Sequence, residues 1–558
     1  MASKQASPAA GGLGCYDATM DDASAGIPVR GGPRSFLVGW PDSGLKMVGS
    51  VKEGKRRWLL LGLIGLAFAL RMIGLDFQSL WRDEIDAIRF ATASLRDLFQ
   101  IFVAPGQNGP LYYLVLRPWL AVAGQSEFSL RFFSAVFGTL AVPLVHRLGR
   151  RLFPSLPFVA LLAALLMATS PYLVWYGQEG KMYALVVVLV LLSMDCYLVA
   201  LERGGWRRWL LYVVVTSAAF YTHLIAALMV PVQMITFFLV PGGTRKARWQ
   251  PWLVSMAALT LPYLPLLRWQ LPMLLGSDST GYQFVPLPAM LFSLLSNYSL
   301  GVLQRPTVWT LTLFVAPVMA AGLLWKDHTT RLTGLGVLGS WLLVPVLGFF
   351  LITVLRPMYT ARYLIFVLPA FLLLLAAGLV AIWRHSRLVA GLWLVVLLVA
   401  NAWGIWLQAR TPVKADFRAA TNYLVSRLAP GDLILFQIPY GRYSFEYYYQ
   451  HHPQPVEPPS DLQAGVGGFH VYLPFVASVR GQPYRWAEGL YTNAGMRPDE
   501  ADRLMARLTA ESPVVWLVAT EVPLWDERGL VQAWLEEHAT LTDTADFVRV
   551  SVFRYEIP

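Results

Sequence analysis

Charge is what this chain has least of. Asp, Glu, Lys and Arg make up 14% of its 558 residues, hydrophobic types make up 56%, and mean hydropathy is +0.50. A soluble domain carries roughly 25% charged residues, so an ordinary water-soluble enzyme is excluded. Cysteine is almost absent: Cys15 lies in a polar N-terminal tail and Cys196 inside an apolar run, which excludes a disulfide framework. There is no H-E-x-x-H or His-rich cluster, no Walker motif and no repeat of solenoid period. Gly465-Val466-Gly467-Gly468 lacks the G-x-G-x-x-G spacing of a dinucleotide loop. The net charge of +11 does not point to nucleic acid, because the Lys and Arg sit in short clusters between apolar runs. That distribution belongs to membrane orientation.

What the chain has in quantity is long apolar segments. A helix crossing ~30 Å of hydrocarbon needs about 20 such residues. Eleven candidates stand out: Trp58–Leu75, Ser129–Leu148, Phe158–Tyr176, Tyr183–Leu201, Trp209–Tyr221, His223–Val240, Trp252–Trp269, Val308–Trp325, Gly334–Leu355, Leu364–Trp383 and Leu388–Leu407. Lys52, Lys55, Arg56 and Arg57 precede the first, and further basic clusters follow at Arg147–Arg151, Arg203–Arg208, Arg245–Arg248, Lys326–Arg331 and Arg384–Arg387. Basic flanks stay cytoplasmic, so the N-terminus is expected inside and the C-terminus outside a multi-pass cell inner (cytoplasmic) membrane protein. Pro110–Gly124 is apolar but short, with Arg117 in its middle. Counting it as a span would invert the later clusters, so it is expected as an interfacial or re-entrant helix.

Three regions follow. Residues 1–57 read as a disordered basic tail without a signal-peptide h-region, Met47 being an alternative start. Residues 58–407 form the membrane domain, with a long external loop over 76–128. Hydropathy drops after Gln408, and residues 408–558 read as an extracytoplasmic α/β domain. Its expected strands are Leu433–Ile438, Phe469–Leu473, Val514–Val518 and Phe547–Phe553; its expected helices are Phe417–Leu428, Pro498–Leu508 and Leu530–His538.

On this topology four polar clusters meet on the external side: Trp81-Arg82-Asp83-Glu84, with Asp86 and Arg89 nearby; Gln178-Glu179-Gly180-Lys181-Met182-Tyr183; Tyr221-Thr222-His223; and Arg356 through Tyr363. An acid facing fixed cations suits group transfer from a lipid phosphate. The departing phosphate needs its charge offset, which Arg does with its planar fork, and the acceptor hydroxyl needs one carboxylate as general base. Each cluster also has a plainer reading. Asp83-Glu84 suits a solvated turn capping a helix, Arg356 and Arg362 suit interfacial anchors, Glu179 and Lys181 suit a mutual pair, and His223 suits a structural histidine. Asp195, inside the fourth span, is expected to be a buried hydrogen-bonded group.

Taken in order, Trp81-Arg82-Asp83-Glu84, Gly109-Pro110-Leu111-Tyr112-Tyr113, Ser126-Glu127-Phe128-Ser129-Leu130-Arg131-Phe132, Gln178-Glu179-x-Lys181-x-Tyr183 and Arg356-Pro357-x-Tyr359-x-x-Arg362-Tyr363 resemble a family. It is that of the bacterial integral-membrane C-type glycosyltransferases, in the superfamily of the protein O-mannosyltransferases and lipid A aminoarabinose transferases. The resemblance runs over about Trp58–Leu407. It implies a sugar transferase drawing on a polyprenyl-phosphate sugar donor, with inversion at the sugar. Asp83 is implied as catalytic base and Glu84 as its substrate-orienting partner. Lys181, Arg356 and Arg362 are implied at the donor phosphate, with Tyr359 beside them, and Glu179, His223 and Tyr363 are candidates for substrate binding. Many relatives carry Ala-Arg where this chain has Gly180-Lys181, which keeps the charge and loses the fork. The acceptor implied is an extracytoplasmic protein, lipid or glycan hydroxyl. No cofactor is required by this reading, though carboxylates leave room for a divalent metal ion. A transporter or flippase for a lipid-linked cargo is the rival class; the lack of internal repeats and the gathering of charge at helix ends favour the enzyme.

Overall fold

The computed structural model describes residues 53–103, 108–261, 263–265, 267–268, 271, 282–324, 334–429, 431–450, 475–479 and 482–558. The expected strand Phe469–Leu473, the glycine run at 465–468, Cys15, Met47 and most of the N-terminal tail lie outside these residues.

Apolar sequence turns into helix throughout the first three-quarters of the chain. The elements are α1 (Glu53–Met72), α2 (Arg82–Thr92), α3 (Leu95–Val103), α4 (Pro110–Ala123), α5 (Glu127–Leu152), α6 (Pro157–Thr169), α7 (Pro171–Gly177), α8 (Tyr183–Arg203) and α9 (Trp206–Thr222). A 3-10 turn at Leu224–Leu228 leads into α10 (Met229–Leu239), followed by α11 (Gly242–Thr260), α12 (Leu287–Leu300), α13 (Val308–Leu324) and α14 (Gly336–Leu355). A second 3-10 segment, Ala361–Val367, runs into α15 (Leu368–His385), and α16 (Arg387–Arg410) closes the set.

Five described helices are long and apolar enough to cross a membrane: α5, α8, α14, the joined Ala361–His385 segment and α16. The pair α6 and α7 makes a sixth if counted as one span bent by 58°. The remaining expected spans are mostly helical over their described residues, with α1 ending at Met72 rather than Leu75. The seventh begins earlier than expected, at Gly242. The break between α6 and α7 has two causes. Pro171 cannot donate a backbone hydrogen bond, and Ser170 caps the new helix by accepting from the Leu173 amide at 3.4 Å. Arg71 of α1, fully buried, closes the frayed end by donating to the carbonyls of Ala168 and Met167 at 3.3 and 3.4 Å.

Two polar clusters inside the bundle are internally paired, as hydrocarbon favours. Gln233 accepts from Tyr212 at 2.6 Å and donates to Ser193 at 2.9 Å, and Ser193 lies 2.7 Å from Thr216. Asp195 sits 2.8 Å from Arg147 and 3.1 Å from Arg151, so its buried carboxylate is offset by α5.

The α/β domain contains α17 (Phe417–Val425), β1 (Leu433–Phe436), α18 (Tyr440–Gln450), β2 (Phe475–Val479), β3 (Gln482–Glu488), α19 (Pro498–Thr509), β4 (Val514–Ala519), α20 (Leu530–His538), β5 (Thr540–Phe547) and β6 (Val550–Glu556). The strand order is β2-β3-β1-β4-β6-β5, with β1 parallel to both β3 and β4 and the outer pairs antiparallel. The expected strand Phe547–Phe553 is corrected: it straddles a hairpin, with Phe547 pairing Val550 and Arg549 at φ +54° making the turn. Leu433, Leu435, Val515 and Leu517 pack with α19 and α20 on one face. On the other face, Ile434, Phe436, Trp516 and Val552 join one apolar core with Ile85, Ile88, Tyr112, Tyr113 and Phe133 of the segment 76–133. The sheet thus completes the core of the first loop, which is what brings the C-terminal part of the chain to the site.

Candidate active site

The site grows from α2. Two acids, Asp83 and Glu84, occupy its first turn, where they complement the positive end of the helix. Successive residues of a helix point about 100° apart, and these two carboxylates meet very different surroundings.

Glu84 is 0% exposed. Its carboxylate is gripped by Arg131 of α5, with Nε on Oε1 at 2.8 Å and a terminal nitrogen on Oε2 at 2.7 Å. The Gly180 amide donates to Oε1 at 2.9 Å, and Lys414 Nζ lies 3.0 Å from Oε2. Burial alone raises this carboxyl, but Arg131, Lys414 and the Gly180 amide outweigh it and hold it down at about 2. The same Arg131 also donates to the carbonyls of Leu75, Gln78 and Ser79 at 2.9, 2.7 and 3.1 Å. Glu84 is therefore the tie between the loop, α5 and the 178–181 turn, with no surface open to a substrate.

Asp83 is open, its side chain 23% exposed, and faces Arg362 at 3.6 Å. Arg362 lies over the rings of Trp81 at 5.3 Å and Tyr183 at 5.9 Å, so its guanidinium is aimed by aromatic faces as well as by charge. Lys181, 8% exposed, donates to the Tyr113 hydroxyl at 3.2 Å. Burial would lower this ammonium, but Tyr113, Asp83 and Asp86 reverse that and leave it above its ordinary value. Lys181 therefore stays a cation, and it is partnered by Tyr113 rather than by Glu179.

Glu179 is 2% exposed, and burial pushes its carboxyl up to about 7 despite the nearby charges of Lys414 and Arg362. His223, 1% exposed, sits at the break between α9 and the 224–228 turn, its ring 5.4 Å from that of Tyr363 and 6.2 Å from that of Tyr183. The break is held by the first loop: Asn108 Oδ1 accepts from the Leu224 amide at 3.0 Å, and Gly109 (φ +81°) comes so near that a Cβ there would stand 3.1 Å from the Thr222 carbonyl oxygen. Glu179 Oε1, both ring nitrogens of His223 and Arg362 Nε are buried without a hydrogen-bond partner. Unpartnered buried atoms also occur elsewhere, at Tyr172, Trp209 and Gln408 for example, but these four belong to residues grouped near Asp83, where a polar ligand could satisfy them.

The expected site residues therefore divide. Asp83, Glu179, Lys181, Arg362, His223 and Tyr363 gather around the junction of α2, the 178–181 turn and the 361–367 segment, and Glu84 stands behind them. Tyr359 spends its hydroxyl on the Met290 carbonyl of α12 at 3.2 Å, and Arg356, 7% exposed, ends α14. Two residues that bear on the site had no role in the sequence reading. Arg131 was visible only as the one cation in the Ser126–Phe132 motif, without an assigned role, while Lys414 carries no local signal at all. Among the described residues, no group of three or more His, Cys, Asp or Glu is placed to hold a metal ion.

The family described as dolichyl-phosphate-mannose-protein mannosyltransferase matches residues 107–269. The crystal structure of ArnT from Cupriavidus metallidurans in the apo state superposes with a TM-score of 0.53 at 12% identity, covering 90% of this chain and 98% of that one. This is a C-type glycosyltransferase fold. ArnT from the same organism bound to undecaprenyl phosphate aligns with a TM-score of 0.52, also at 12% identity, covering 89% of this chain and 98% of that one. No curated protein sequence matches the chain. At this identity the likeness is one of architecture, over nine-tenths of the chain.

Proposed function

We propose that this protein is a membrane glycosyltransferase that moves one sugar from a polyprenyl-phosphate donor to an acceptor hydroxyl outside the cytoplasmic membrane. The observation that carries this reading is the pairing of an open acid, Asp83, with an aromatic-clamped cation, Arg362, at 3.6 Å, next to buried polar groups that lack partners. The match to a dolichyl-phosphate-mannose family and the likeness in fold to a protein crystallised with undecaprenyl phosphate support the lipid-phosphate class of donor.

In the step proposed, the acceptor oxygen attacks the anomeric carbon while Asp83 takes its proton. The bond from that carbon to the phosphate oxygen breaks, and the electron pair leaves with the phosphate. Arg362 and Lys181 offset the charge that develops there. A single displacement inverts the anomeric centre. The fork of Arg362 suits two phosphate oxygens, whereas Lys181 offers a point charge. Glu84 acts as a positioning residue, since it has no exposed surface. Glu179, whose neutral form burial favours, and unpartnered His223 are suited to hydrogen-bonding sugar hydroxyls.

The test is transfer of radiolabelled sugar from polyprenyl-phosphate donors to a membrane extract, comparing wild type with Asp83→Asn at matched expression. Label transferred by wild type and lost in the variant, with donor binding retained, supports the reading. Equal transfer by both removes Asp83 from the mechanism.

A further inference from the structure

Glu84 holds two cations rather than one. Arg131 already occupies both carboxylate oxygens, at 2.8 and 2.7 Å, and the Gly180 amide adds a third bond at 2.9 Å. Lys414 brings a second cation to a satisfied carboxylate, 3.0 Å from Oε2, with its side chain only 9% exposed. Burying an ammonium is costly unless it is paired, so Lys414 in this place is committed to Glu84.

The surrounding backbone shows how deliberately it is aimed. The amides of Val413 and Lys414 both donate to Gln78 Oε1, at 3.0 and 2.9 Å. The chain leaving α16 is thus held against the loop between α1 and α2 at two consecutive residues. Just beyond, Arg418 pairs with Glu127 and donates to the Asp76 carbonyl at 3.0 Å. Inward from this seam, Lys414 lies 5.8 Å from the Trp175 ring of α7 and 3.0 Å from Glu84, which bonds the Gly180 amide in turn.

We propose that Lys414 is a positioning residue of the transfer site: together with Arg131 it pins Glu84, and through Glu84 it fixes both the helix turn that presents Asp83 and the Gly180 amide that sets Lys181. The C-terminal part of the chain thereby supplies a component of the active centre. This inference rests on the glycosyl-transfer reading for its kinetic test, and on the hydrogen-bond geometry alone for its structural one.

The experiment uses the full chain in lipid nanodiscs: wild type, Lys414→Met, Lys414→Arg, Glu84→Gln and the Lys414→Met/Glu84→Gln double variant. Sugar transfer from a polyprenyl-phosphate donor gives kcat and KM, and amide hydrogen exchange is followed over residues 178–181. Lys414→Met is expected to lower kcat by about tenfold or more with donor KM within about threefold, as loss of transition-state geometry requires. Lys414→Arg should recover most of kcat, and the double variant should lose no more than Glu84→Gln alone. Exchange at 178–181 should rise by about tenfold in Lys414→Met. The inference is overturned if Lys414→Met stays within about twofold of wild type in kcat or in exchange, if the loss falls on KM, or if the two losses multiply. Should Lys414→Met fail to elute as a single species, Lys414→Gln takes its place under the same criteria. If wild type transfers nothing from any donor, the glycosyl-transfer reading fails, and the exchange comparison, which needs no substrate, still decides whether Lys414 holds the turn.

Discussion

Adjacent acids in one helix turn have opposite duties here. Asp83 is open and faces one cation, while Glu84 is sealed among Arg131, Lys414 and the Gly180 amide. Glu84→Ala is expected to lower stability by about 3–5 kcal/mol, because it strands a buried guanidinium; a denaturation midpoint close to wild type would contradict this. Protonation separates the carboxyls in the same way. Burial favours the neutral form of Glu179, which titrates near 7, so its stabilising contribution is complete below the ordinary carboxylate range and lost as pH rises through about 7. Glu84, held at about 2, contributes above that ordinary range and loses its contribution only as pH falls toward 2. Thermal midpoints measured from pH 5 to 8 should therefore decline in wild type and decline less in Glu179→Gln; identical slopes would rule out a buried, raised Glu179.

At the scale of elements, close approach is the main constraint. A Cβ on Gly180 would stand 2.5 Å from Leu130 Cδ2 and Cγ, so Gly180→Ala must displace the Leu130 side chain or the turn that holds the amide against Glu84. The expected cost is about 1–3 kcal/mol, with a larger loss of transfer than of stability; a variant with full activity would show that the turn tolerates displacement. Gly378 of α15 lies directly on the Pro317 carbonyl of α13, where any side chain would collide. Long helices were legible in the sequence because length and hydropathy leave few alternatives. Helix α12 was missed because Ser293, Ser296 and Asn297 interrupt a segment of only 14 residues. Strands β2 and β3 and helix α18 were missed for lack of a clean period, and the last hairpin was fused because its turn, Val548-Arg549, contains neither Gly nor Pro. Of the site, the acids and the Arg362 region were readable as ordered motifs. Lys414 was not, since its partner is 330 residues away and only the packed fold reveals it.

For the molecule as a whole, the expected sidedness has a direct check. A single cysteine at exposed Thr542, in a Cys15→Ser/Cys196→Ala background, should react with an impermeant maleimide in intact cells when the α/β domain faces outward. Labelling only after lysis would reverse the topology. The same orientation would put Asp83 and the 178–181 turn on the side of the α/β domain, because one apolar core joins that sheet to the first loop.

The partners of Glu84 come from positions 131, 180 and 414, so they emerge from the ribosome at widely separated times. The first two are made while the early helices are being inserted; the last follows every apolar helix. A nascent chain halted before Lys414 already holds Asp83, Glu84, Lys181 and Arg362, yet lacks the second cation on Glu84 that the proposal requires. Catalytic competence should then appear late and abruptly in biosynthesis, so incomplete chains would be kept from drawing on a scarce lipid carrier while still under construction.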